Sequence, residues 1–131
     1  MPAQVFGLRY APTSRSCHDQ RIEAGPRMSE ASIHNGVIYL AGQVADDASV
    51  DIETQTRQVL AAIDALLAAA GSDKTRILRA QIYLADIGDF AGMNRAWDAW
   101  VVPGNAPSRA TVEARLAKSE WKVEIVVTAA V

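Results

Sequence analysis

Twice along this chain the apolar spacing changes from two residues to about 3.6 and back, which limits the fold to layers of strand and helix. From residue 51 to residue 70, Ile52, Val59, Leu60, Ile63, Leu66, Leu67 and Ala70 follow helical spacing, and Gly71 supplies a stop. One face of such a helix must pack on a sheet. A second helix is expected from about residue 89, with Phe90, Met93, Trp97 and Val101 on one side and Pro103-Gly104 ending it. Between the helices Leu78, Ala80, Ile82 and Leu84 alternate with Arg79, Gln81 and Tyr83, the period of a strand. Upstream, two short strand-like runs flank Asn35-Gly36, a pair that favours the type I′ hairpin turn. Two more strands follow, after Pro107 and after Trp121. The order ββαβαββ predicts an α+β fold with both helices packed on one face of a sheet. In the last strand Ile125, Val127 and Ala129 point one way and Val126 and Ala130 the other, so both of its faces are apolar. Two helices cover only one sheet face, and the other is expected to lie against a further copy of the chain.

With 131 residues, half of them hydrophobic, the chain can build one core but not two. Residues 1 to 20 mix Pro, Ser, Arg and polar residues without sustained period. They read as a loosely ordered N-terminal extension ahead of a single domain over residues 21 to 131, whose entry Gly25-Pro26 punctuates. No apolar run approaches the roughly 20 residues that cross a bilayer, and the N-terminus lacks the features of a secretory signal. A cytoplasmic location without a membrane partner is expected. Cys17 is the single cysteine, and His18 and His34 offer no metal-ligand spacing, so no metal, redox centre or cofactor is expected. A net charge of −2 argues against a dominant basic surface, and hence against a nucleic-acid partner.

The segment Pro107-Ser108-Arg109-Ala110-Thr111-Val112-Glu113-Ala114-Arg115-Leu116 is predicted as a strand with Arg109, Thr111, Glu113 and Arg115 on one face. It is followed by Val123-Glu124-Ile125. This pair of segments resembles the RidA family, also called YjgF or UK114 proteins, whose signature is Pro-x-Arg-x-x-Val-Glu-x-x-x-Leu followed by an Ile/Val-Glu-Ile strand. The resemblance extends through Gly25-Pro26, Ile38-Tyr39-Leu40-Ala41-Gly42-Gln43, Gln55-Thr56-Arg57-Gln58-Val59-Leu60 and Asp89-Phe90-Ala91-Gly92-Met93-Asn94. It implies a chorismate-mutase-like fold, a homotrimer with ligand clefts between subunits, and cofactor-free hydrolysis of small 2-imino acids to 2-oxo acids and ammonia. A non-catalytic trimer of the same family, binding small carboxylates or protein partners, is the alternative.

Carried over residue by residue, the resemblance makes Arg109 and Glu124 the catalytic candidates, with Arg109, Thr111, Asn94, Arg27 and Gly42 at the substrate. An Arg fork matches a carboxylate with two parallel hydrogen bonds; its other reading is an ion pair with Glu113. Glu124 either orients a water and moves protons or pairs with Lys122 or Arg115. Asn94 either orients a ligand or serves the backbone. Thr111 stands where many members have Cys, which excludes thiol chemistry. Arg27 stands where many have Tyr, and points either into the cleft or outward. Ala41 replaces a common Ser beside Gly42.

Overall fold

The computed structural model describes residues 19–131. Its strands are β1 (Gln20–Ile22), β2 (Ala31–His34), β3 (Val37–Leu40), β4 (Ile77–Leu84), β5 (Ser108–Glu113) and β6 (Val123–Ala130). Helix α1 (Ile52–Ala69) lies between β3 and β4, and α2 (Phe90–Trp100) between β4 and β5. They form one sheet in the order β1-β2-β3-β6-β4-β5. All neighbours are antiparallel except β4 and β5, which are parallel because α2 carries the chain back across the sheet. The α+β layer fold is therefore as expected, with one strand more: β1 is too short to show a period. The boundary expected after residue 20 falls inside β1, and residues 1–18 of the expected extension lie outside the described residues.

The hairpin forms as its turn residues dictate, with Asn35 at φ 47° and Gly36 at φ 80°, pairing His34 with Val37. Helix α1 starts where the Asp51 carboxylate accepts from the Thr54 amide at 2.9 Å, a bond that holds that carboxyl below its ordinary range. It stops before Gly71, whose φ of 78° favours a residue without Cβ. Val59, Leu60, Ile63 and Leu67 of α1 pack on Ile38, Ile82, Ile125 and Val127, all nearly or fully buried. Helix α2 lies close to α1; a Cβ on Gly92 would come 2.6 Å from Ile52 Cγ2. Glu53 accepts from Arg57 at 2.9 Å and from Arg95 at 3.0 Å, tying the two helices together.

Leu78 departs from the expected alternation. A register shift between Ile77 and Arg79 sends Ile77 into the core and leaves Leu78 half exposed. Beyond the core side, the sheet's second face carries Tyr39, Tyr83, Val112, Val126 and Thr128, exposed or half-buried, with neither helix over it. Among the described residues no helix is long and apolar enough to cross a membrane.

Candidate functional site

Arg109 is the second residue of β5, an edge strand, and pairs with Ala80 of β4. Ala80 is fully buried on the helix side of the sheet, so in a parallel pair Arg109 points to that side too. There α2 cradles it. Its Nη1 donates to Asn94 Oδ1 at 2.8 Å, and its guanidinium carbon lies 5.1 Å from the Trp97 ring centre and 5.9 Å from that of Phe90. Among the described residues no carboxylate lies within ion-pair distance of it. The alternative ion pair with Glu113 does not form, because Glu113 Oε1 instead accepts from the Ile87 amide at 2.9 Å. That bond ties the end of β5 to the 3₁₀ turn Ile87–Asp89, which leads directly into α2. Asn94 thus serves the Arg109 side chain rather than the backbone. Thr111 pairs with Ile82 and shares the helix side, and its hydroxyl is buried without a hydrogen-bond partner.

Glu124 lies elsewhere. It pairs with Tyr83 on the open face, while its neighbours Val123 and Ile125 are core. Its carboxylate occupies the space over Gly42, where any Cβ would overlap it. Neither Lys122 nor Arg115 forms an ion pair with it. Gly42 is held there because Gln43 pairs with Ile125 through backbone bonds of 2.9 and 3.1 Å. The Gln43 side chain donates to Glu30 Oε1 at 3.0 Å and to the Ala41 carbonyl at 3.1 Å. Arg27 is exposed in the turn closed by Gly25 N donating to Met28 O at 2.8 Å.

Five of the six candidates therefore fall into two groups, with Arg27 in neither. Arg109, Asn94 and Thr111 sit on the helix side at the β5 edge; Gly42 and Glu124 sit together on the open face. Within one chain the sheet separates Arg109 from Glu124. Two contributors escaped the reading of the sequence as parts of the site, Phe90 and Trp97, taken as an apolar helix face; Glu113 was read as a partner for Arg109 and serves the Ile87 amide instead. The periodicity of α2 placed both rings on one side but carried no sign of the cation they hold.

A family model described as Endoribonuclease L-PSP matches residues 18–131. A RutC family protein from Haemophilus ducreyi is 57% identical over 111 residues, spanning 85% of this chain and 95% of its own length. The RutC family protein YoaB from Escherichia coli is 51% identical over 111 residues, spanning 85% and 96% respectively. Among solved structures, a member of the YjgF protein family from Neisseria meningitidis superposes with a TM-score of 0.84 at 50% identity, covering 86% of this chain and 94% of its own.

Proposed function

The chain belongs to the RutC/YjgF family, and from that premise we propose that it is a cytoplasmic, cofactor-independent imine deaminase acting on small 2-imino acids. The observation that carries this reading is Arg109, a part-buried guanidinium held by a neutral amide oxygen and two ring faces, with no carboxylate beside it among the described residues. A charge drawn out of water costs free energy that cation–π contacts return only in part, about 0.5–2 kcal/mol. A substrate carboxylate supplies the missing partner with two parallel hydrogen bonds.

A 2-imino acid is too small to reach both sides of a sheet. The reading therefore requires Arg109, Asn94 and Thr111 of one copy to face Gly42 and Glu124 of another, in the homotrimer that the family resemblance implies. The open face supports this, since Tyr39 and Val112 stand exposed and Val126 half-buried on it in a single chain. At such a cleft the substrate carboxylate docks on Arg109 and Asn94 keeps the fork oriented. The protonated imine carbon is already electrophilic. A water aligned by Glu124 adds to it and gives up a proton, forming a C–O bond. That proton passes to the amine nitrogen, the C–N bond breaks, and ammonia leaves as the remaining hydroxyl proton passes to Glu124 and the carbonyl forms, with no net oxidation or reduction. The endoribonuclease of the family description fits less well, because a net charge of −2 leaves no dominant basic surface for phosphate backbones.

The test is 2-oxo acid release from imines generated in situ by an amino-acid oxidase. The native protein is expected to accelerate release, and Arg109→Ala to lose that acceleration by on the order of a hundredfold while keeping its melting temperature and size. A folded oligomer that binds 2-oxo acids but accelerates nothing would make this a carboxylate-binding module instead.

A further inference from the structure

We propose that Arg27 selects substrates whose side chain ends in a second carboxylate, an inference that rests on the deaminase reading above. The loop over residues 23–29 is closed at its base by Glu30 N donating to Ile22 O at 2.9 Å. Glu30 is bonded to both neighbours of Gly42: its carbonyl accepts from Ala41 N at 2.8 Å, and its carboxylate accepts from Gln43 Nε2 at 3.0 Å. The loop that displays Arg27 thus hangs from the residues flanking the Gly42 and Glu124 group. Arg27 is exposed at its turn, beside a Met28 side chain that is 53% exposed. No ion pair holds Arg27 among the described residues, Glu23 included, and Glu30 is engaged by Gln43.

Charge balance decides what this cation is for. A protonated 2-imino acid with a neutral side chain carries one carboxylate and one iminium, which Arg109 and Glu124 match one to one. Arg27, displayed from the loop tied to the neighbours of Gly42, is then a further guanidinium that such a substrate leaves without a carboxylate. A second carboxylate on the substrate supplies that partner, and a guanidinium is permanently charged and shaped to receive it. A neutral side chain gains nothing from it, and a cationic one is repelled.

The experiment compares imines of glutamate and 2-aminobutyrate as substrates, alongside calorimetric binding of 2-oxoglutarate and 2-oxobutanoate. The native protein is expected to favour the dicarboxylate at least tenfold in kcat/KM and in affinity, an advantage that shrinks as salt is raised. Arg27→Gln, which keeps most of the reach without the charge, is expected to bring the ratio to within about threefold of unity, with Arg27→Lys between. A native protein that treats the two substrates alike, or a preference that survives Arg27→Gln, overturns the proposal. Failure to bind or turn over either compound sinks the deaminase reading itself, and this proposal with it.

Discussion

At the scale of single residues, the site depends on what is missing beside each charged group. Among the described residues Arg109 has no carboxylate partner, and Gly42 lacks a Cβ. The second absence gives a sharp prediction, because a methyl group on Gly42 would overlap the Glu124 carboxylate and push it away. Gly42→Ala is expected to lower kcat at least tenfold, within the range that a positioned proton-transfer group contributes, while KM changes little. Steady-state kinetics on the imine substrates checks this; an unchanged kcat would remove Glu124 from the chemistry. The Thr111 hydroxyl is the third absence, a buried group unsatisfied within one chain. In the proposed trimer a substrate oxygen would give it a partner.

Among elements, the decisive joints are side chains that fasten loops to helices. Gln55, buried in the first turns of α1, donates to the carbonyls of Ala48, Val50 and Glu120 at 3.1 to 3.2 Å and accepts from Lys122 N at 3.0 Å. It therefore positions the start of β6, two residues before Glu124. Gln55→Ala leaves buried backbone groups unpaired and is expected to cost about 3 kcal/mol, read from urea unfolding. Its position was legible as part of a motif, but its partners were not, because Glu120 and Lys122 lie some 65 residues away in sequence. Glu113 works in the same way, joining β5 to the turn that launches α2 and so to the cradle of Arg109.

For the molecule as a whole, the two-sided apolar character of β6 is the main fact. Val123, Ile125, Val127 and Ala129 are sealed under the helices, while Val126 and Ala130 remain half-buried on the other side. Val126→Asp places a charge in the middle of that open face, next to Gln81 of β4. In the proposed trimer it is expected to shift the protein to monomer by light scattering and to abolish turnover, since the two groups of site residues then never meet. An oligomer of native size and rate would show that this face is not the interface.

Local spacing and turn chemistry were enough to determine the hairpin, both helices, the mixed layer architecture and the two apolar faces of β6, because periods of two and 3.6 residues are set by the backbone itself. The motif around Arg109 was equally visible. Only the tertiary structure decided which way that motif faces. Alternation says that Arg109 and Thr111 share a side, but pairing with Ala80 and Ile82 of a strand some 29 residues away sets that side under α2. The same long-range register puts Glu124 on the opposite face, adds β1 at the far edge, and bulges Leu78 out of the core. Each outcome depends on which strand lies beside which, and that is settled by packing between distant segments.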